Sequence, residues 1–435
     1  MSNSNNFRPE LLTSRQGALT LSVDGIPLHS TYNPIAEAEK TAAQIEPDKT
    51  ALIAVLENGL GYLPRVLNRL YPKTDILVMT PEPRIFDFLK QHNLDYRTEL
   101  SPRVRILSPY DEKSFTAILS DYPAATVRLL IPPAAEKLFT ETAGRIRLLT
   151  DYHRRIEETN AATLKKYGKR FEKNIRRNTE KLKKGSFRSF EELRNNARSR
   201  HIVIAGAGPT LDSHIDEIRK NRNRFLLLAV DTASGLLQRR GIEPDYVVTG
   251  DPQFYNALHL LFFKSENSRL IAPLSTYYTN TGKPWAEGYF YGTRFPAEAA
   301  EAEKYRIPML GSGGTVAAAA VEAARFMGAG TISLIGIDLG YPSFRTHAGG
   351  AFFEEKSNNI TTRTTPFETY SYRLLFSPLK TETVDADGNR LLSDRRMDLY
   401  RRWFAEYGRD CIRIDRRGSF IQSVPVQNFL FEKNC

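Results

Sequence analysis

The sequence predicts an α/β protein made of two doubly wound domains. Three observations carry that reading: short apolar strands alternating with amphipathic helices over residues 50–132, the same alternation resuming at His201, and a basic stretch between them with helical spacing and no strand pattern. A chain of 435 residues suffices for two or three domains, each with its own core.

In chain order, the first residues, MSNSNNFRPELLTSRQG, read as a loose tail without the apolar stretch of a secretory signal. ALTLSVDGIPLHS, residues 18–30, reads as a hairpin turning at Asp24-Gly25. ALIAVLE, DILVM, VRILS and TVRLLIPP are then strands, with helices over Gly61–Leu70, Arg84–Gln91 and Ser114–Leu119 between them. This alternation implies βαβ units and a parallel sheet, so residues 1–135 are read as a Rossmann-like domain. Its GLG turn, Gly59 to Gly61, with Glu82 near the next strand end, resembles methyltransferases that bind S-adenosylmethionine; without an acceptor-binding motif it reads as a degenerate relative serving assembly or docking.

Residues 136–198 are read as a basic helical connector. Residues 151–200 carry 16 Lys and Arg against 7 Asp and Glu, most of the chain's net charge of +11. Leu164, Tyr167, Phe171, Ile175 and Leu182 form a narrow apolar stripe along it. Its basic face suits an acidic partner or plain solvation; nucleic acid is disfavoured, because no further aromatics are interleaved for stacking.

From His201, HIVIAG, RFLLLAVD, DYVVTGD, RLIAP, GYFYG and TISLIGIDL are strands, with helices over Ser213–Arg219, Ala233–Arg240 and Val316–Met327. Right-handed crossovers bring the strand-to-helix loops to one edge, where doubly wound sheets bind ligands. A hairpin around Asp387-Gly388-Asn389 and a helix over Met397–Tyr407 complete a domain spanning 199–425.

Five segments at that edge carry chemistry. IAGAGPTLD, from Ile204, places Leu211 where a dinucleotide fingerprint needs its third glycine, which disfavours a nicotinamide or flavin site. What remains is a turn at Gly206, Gly208, Pro209 and Thr210 whose bare amides can receive one anionic group, capped by Thr210 or Asp212. Asp231-Thr232 and Thr249-Gly250-Asp251-Pro252-Gln253 end the next strands, with carboxylates able to accept sugar hydroxyls or to cap helices. Ser312, Gly313, Gly314 and Thr315 open an alanine-rich helix and form a second anion seat, and Asp338 ends the strand after it. No GxxxxGK[ST] loop occurs, which excludes P-loop chemistry.

IAGAGPTLD, RRGIEPDYVVTGDPQ, GSGGTVAAAAVEAARFMGAGTISLIGIDLGYP and THAGG together resemble the core of motility-associated factor (Maf) glycosyltransferases, an MptE-like domain similar also to bacterial sialyltransferases and archaeal 6-hydroxymethylpterin diphosphokinases. GLGYLPRVL and LVMTPEPRIFDFL resemble the Maf amino-terminal domain. The resemblance implies a sialyltransferase-like fold for 199–425. It implies a CMP-activated nonulosonic acid lying between Gly206, Gly208, Pro209, Thr210 and Ser312 to Thr315, with Asp231, Asp251 and Asp338 lining the pocket beside Thr232 and Gln253. Transfer to Ser or Thr of flagellin is the implied reaction, with no cofactor or metal required.

The sialyltransferase histidine segment is not reproduced here. His347, just beyond the Asp338 strand end, is therefore the candidate base, with Asp251 and Asp338 as its catalytic companions. Tyr277, Tyr278, Tyr341, Tyr370 and Tyr372 are candidate partners of the departing phosphate. Asp385-Ala386-Asp387 mimics a metal-binding DxD, yet its DGN context favours a turn. The alternatives are a diphosphokinase, which needs ATP, Mg²⁺ and a pterin pocket, and a noncatalytic flagellar assembly factor. Two cysteines, Cys411 and Cys435, and no long apolar run imply the cytoplasm, with neither a membrane nor a nucleic acid as partner.

Overall fold

Two compact units divide the chain at Lys166 and Tyr167. The computed structural model describes residues 7–431 apart from 58, 254–257, 261–262, 278–284, 286, 312, 353, 355–360, 367–368, 370–371, 373–374, 377–379 and 429.

In the first unit β1 (Pro9–Thr13), β2 (Leu19–Val23) and β3 (Ile26–Pro27) form an antiparallel sheet. The expected turn is present, with Asp24 and Gly25 both left-handed at φ 50° and 78°. β4 (Leu52–Leu56), β5 (Asp75–Met79), β6 (Val104–Leu107) and β7 (Val127–Leu130) form a parallel sheet in the order β6-β5-β4-β7. Helices α1 (Pro34–Ala42), α2 (Tyr62–Leu70), α3 (Arg84–Gln91), α4 (Glu112–Leu119) and α5 (Pro133–Leu138) surround it. Every residue of β4 is buried, because the period of two sends Leu52, Ala54 and Leu56 to one face and Ile53 and Val55 to the other, and both faces are covered.

The segment read as a connector divides between the units. Helix α6 (Thr140–Lys183) contributes Ala143, Ile146 and Leu149 to the first unit's core and Ile175, with Phe171 and Leu182, to a core of the second. Three members of the predicted stripe, Phe171, Ile175 and Leu182, therefore pack, and the basic residues between them are exposed apart from the half-buried Lys181.

The second unit holds, among the described residues, a nine-stranded parallel sheet ordered β18-β17-β14-β9-β10-β11-β12-β13-β8. The strands are β8 (Arg188–Ser189), β9 (His201–Ala205), β10 (Leu226–Val230), β11 (Tyr246–Val248), β12 (Arg269–Pro273), β13 (Glu287–Tyr291) and β14 (Thr331–Ile335). The antiparallel hairpin β15 (Lys380–Val384) and β16 (Arg390–Asp394) follows, then β17 (Cys411–Ile414) and β18 (Val426–Gln427). Asp385 accepts the amides of Asp387 and Asn389 at 2.9 Å, so the DxD look-alike is the hairpin turn.

The principal helices of this unit are α7 (Ile215–Lys220), α8 (Asp231–Arg239), α9 (Pro296–Lys304), α10 (Val316–Phe326) and α11 (Arg395–Tyr407). The alanines of α10 are buried, and their short side chains let its backbone approach β9, β10 and β11. The chain steps from β9 outward to β13, then returns to the other side of β9 as β14. The topological switch point, where such sheets bind ligands, is thus between β9 and β14.

The first unit has its own switch point, between β4 and β7, and its GLG turn is filled from within. Glu57 accepts the Gly59 amide and His29 Nε2 accepts the Leu60 amide, each at 2.7 Å. Burial pushes Glu57 up to about 7 and His29 down to about 4. Both groups are therefore neutral in the folded chain across much of the pH range between those values. Glu57 contributes stability below pH 4.5 that is lost as pH rises to 7, and His29 contributes stability above pH 6.5 that is lost as pH falls to 4; each is worth about 3 kcal/mol. The two slopes oppose, so Glu57→Gln should expose a loss of first-unit stability from pH 6.5 down to 4 that the parent does not show. Guanidinium denaturation followed by hydrogen exchange at β4 checks it, and a level profile in the variant would refute it.

Candidate functional site

Strand register lines up the loops of the carboxyl edge. Ile335 pairs with Ala205, Ala205 with Ala229, and Ala229 with Val247. Beyond that row, Gly336 to Asp338, Gly206 to Gly208, Asp231, and Thr249 to Asp251 leave the sheet side by side, as the sequence predicted.

The glycine turn differs from its expected role. The Gly206 and Gly208 amides donate to Ile335 O and Gly336 O at 2.8 Å, so the β9–β14 pairing continues past the strand ends. The Thr210 amide donates to Asp338 Oδ2 at 2.9 Å, and its hydroxyl donates to Asp338 Oδ1. The anion seated on this turn is the chain's own carboxylate. A Cβ on Gly208 would stand 2.5 Å from that carboxylate, which explains the glycine without a ligand. Pro209 opens a 3₁₀ turn through His214, and the expected side-chain cap by Thr210 or Asp212 is absent from it. Asp212 instead accepts the Gly349 amide at 3.0 Å and pairs with Arg345 at 2.9 Å.

Asp338 is 4% exposed. Burial raises its pKa, opposed by the Thr210 bonds and the Arg413 charge. Arg413, itself 2% exposed, donates to Ser419 O, while its Nη2 has no hydrogen-bond partner among the described residues. Asp338 therefore joins two strand ends and does not line an open pocket, which corrects its expected catalytic place. Arg413 escaped the sequence reading because its strand, CIRI, is short; its alternation with Cys411 was the available signal.

The second cluster is open only at Asp251, since Asp231 is 3% exposed. Asp231 accepts the Thr232 amide and the Thr249 hydroxyl at 2.7 Å, and burial pushes it up to about 6. It lies at the first position of α8 without capping the helix. Asp251 is half-buried, and its Oδ1 accepts the Gln253 amide at 2.8 Å. Burial raises its pKa as well.

The start of α10 is brought to this cluster. An added Cβ on Gly250 would stand 3.6 Å from Val316 Cγ2. Gly313 and Gly314 are left-handed, at φ 50° and 76°. A Cβ on Gly313 would stand 2.6 Å from the Ala318 Cβ and 2.7 Å from Trp403, and one on Gly314 would stand 3.3 Å from the Tyr400 ring. Thr315 is extended and makes no side-chain cap, so the opening amides of α10 have neither an intrahelical acceptor nor a side-chain one from their N-cap. Tyr400 and Trp403 were not singled out in the sequence; their one signal was the amphipathic helix that carries them. Ser312, Tyr278 and Tyr370 lie outside the described residues.

His347 is held near the glycine turn, since the Ala348 amide donates to Ala207 O at 2.8 Å. Its Nδ1 lies 3.1 Å from the Thr346 hydroxyl, and burial lowers its pKa, which leaves the ring neutral at pH 7. His259 is lowered to about 4 by burial and by the charge of His347. That neighbour was not read from the sequence, where nothing near His259 marked it. Of the tyrosines, Tyr341 donates its hydroxyl to Asp394 at 2.8 Å, Tyr372 is exposed and stacks on Phe376, and the Tyr277 amide donates to Asp251 O at 3.1 Å.

This architecture matches that of a solved structure, the MAf glycosyltransferase from Magnetospirillum magneticum AMB-1, with a TM-score of 0.52 over 98% of this chain and 71% of that one, at 16% identity. The fold is that of a Maf glycosyltransferase. Residues 173–343 match the family model described as 6-hydroxymethylpterin diphosphokinase MptE-like. The matched segment begins inside α6 and ends just past the Asp338 strand end. Two uncharacterized proteins of Treponema pallidum (strain Nichols) are also similar, one 32% identical over 193 residues and the other 38% identical over 61. The matches cover 37% and 14% of this chain, and 49% and 29% of those proteins, so the chain spans half or less of the curated relatives it matches.

Within the matched segment the two aspartates separate by role. Asp338→Ala should cost about 3 kcal/mol or more in urea denaturation, since it orphans the Thr210 donors and leaves the buried Arg413 charge less compensated. Asp251→Ala should cost about 1 kcal/mol or less, as a half-exposed carboxylate. Equal losses would contradict the division.

Proposed function

We propose that the chain is a nucleotide-sugar-dependent glycosyltransferase that moves a nonulosonic acid from CMP to Ser or Thr of flagellin. The observation that carries this reading is the uncapped, glycine-opened start of α10 beside Gly250 and Asp251, in a fold shared with a Maf glycosyltransferase.

In this reading the nucleotide phosphate sits on the α10 amides, with Gly313, Gly314 and Thr315 around it. Asp251, Gln253 and Thr232 accept or donate to hydroxyls of the ribose or sugar. Gly206, Gly208, Pro209, Thr210 and Asp338 form the rigid wall beside it, and Asp231, bonded to Thr232 and Thr249, ties the ends of β10 and β11 together.

The chemistry requires the bond between the anomeric carbon and the phosphate oxygen to break, its electron pair leaving with CMP. The α10 amides stabilise that developing charge, and Tyr400, whose ring lies beside Gly314, is a candidate donor. The acceptor oxygen bonds to the anomeric carbon and gives its proton to His347, whose lowered pKa keeps it unprotonated and ready at pH 7. The exposed basic face of α6 suits an acidic acceptor or its carrier. The reaction needs no further cofactor, and the reducing cytoplasm is its proposed setting. Among the described residues no helix is long and apolar enough to cross a membrane.

The name of the matched family model favours a second reading, a pterin diphosphokinase using ATP and Mg²⁺. Calorimetry separates the readings: CMP should bind the parent, and Asp251→Ala should weaken it at least tenfold with the circular dichroism spectrum unchanged. Binding of Mg-ATP and a hydroxymethylpterin without CMP would establish the kinase instead. CMP binding without sugar transfer to flagellin would favour an assembly factor that has lost turnover.

A further inference from the structure

Two asparagines on the basic helix, Asn174 and Asn178, are 6% and 1% exposed. Their spacing of four places both side chains on one helix face, a turn apart. Each amide nitrogen carries two hydrogens, and each reaches two carbonyl oxygens. Asn174 donates to Pro252 O at 3.1 Å and to Ser275 O at 2.9 Å. Asn178 donates to Leu274 O at 2.8 Å and to Thr276 O at 2.9 Å.

Those carbonyls belong to the loops that follow β11 and β12, and the second loop grips the first. The Tyr277 amide and the Thr276 hydroxyl both donate to Asp251 O, at 3.1 and 3.2 Å. On its other side the loop is held by Glu298, fully buried, which accepts the Ser275 amide at 3.1 Å. Leu274, Ser275 and Thr276 are themselves buried, so without the asparagines their carbonyls would lose partners that water cannot readily replace.

We propose that Asn174 and Asn178 are positioning residues that set the height of the Asp251 loop against the start of α10, making the basic helix a structural part of the ligand site. No other uncharged side chain of similar size offers two donors at this reach, and isosteric aspartate would turn them into acceptors facing acceptors. The link to ligand affinity rests on the reading of the edge as a CMP-sugar site, whereas the loop's order does not.

The test uses the full chain, comparing the parent with Asn174→Ala, Asn178→Ala and the isosteric Asn178→Asp by hydrogen exchange resolved along the sequence. Exchange at Ser275 to Tyr277 should quicken at least tenfold in each variant, with β9 and β10 unchanged. Calorimetry with CMP, at a temperature where each variant is fully folded, should show at least a tenfold weaker Kd, with the melting temperature lowered by several degrees as buried acceptors lose their donors. Unaltered protection of the loop, or an equal loss across the whole sheet, would overturn the proposal. A parent that fails to bind CMP would instead overturn the donor reading, and the exchange comparison would still decide the role of the asparagines.

Discussion

The carboxylate of Asp338 seated on Thr210 holds the second unit's binding edge in place. It occupies the position at the end of β9 where a phosphate would otherwise be expected, and it does so from the neighbouring strand. Everything beside it follows from that closure. The β9–β14 pairing runs on past the strand ends, the loop of His347 is tied to Ala207, and the switch point becomes a wall. A buried carboxylate of this kind is tolerated because two donors and a nearby guanidinium compensate its lost hydration. The chemistry proposed for this edge then lies two strands along, at Asp251 beside the start of α10.

The first unit repeats the device with different groups. Its glycine turn lies at a switch point too, and Glu57 and His29 take up the amides that a cofactor would need. In both units a turn with the glycine spacing of a ligand cradle is satisfied by the chain's own side chains. Glycine at Gly59 and Gly208 is demanded by close approach of those side chains, so glycine spacing alone says little about whether the approaching group is foreign.

Much of the architecture was legible because strand and helix periods are local. The eleven-residue α10, with its alanines and small opening residues, and α3 over Arg84–Gln91 could be read directly. Two-residue strands such as β8 and β18 carry no period at all, and they are strands only through a distant partner. The candidate site was legible as a row of loops, since register follows from the crossovers. Which loop was open was not: Asp338 and Thr210 are 128 residues apart, and their bond is a property of the packed edge. Asn174 and Asn178 were invisible for the same reason, being two neutral residues inside a run of lysine and arginine.

The position of β8 at the far edge of the sheet bears on how the second unit is made. Ser189 pairs with Phe290, and Phe187 stacks on the same ring with centroids 4.4 Å apart. The segment that leaves the ribosome first therefore receives its partner only after about a hundred further residues have emerged. Until then its phenylalanines are exposed apolar surface in a strongly basic neighbourhood. Charge keeps such a nascent segment soluble and apart from its own copies. The lysines and arginines of the helix before it place charge of that kind next to the waiting strand.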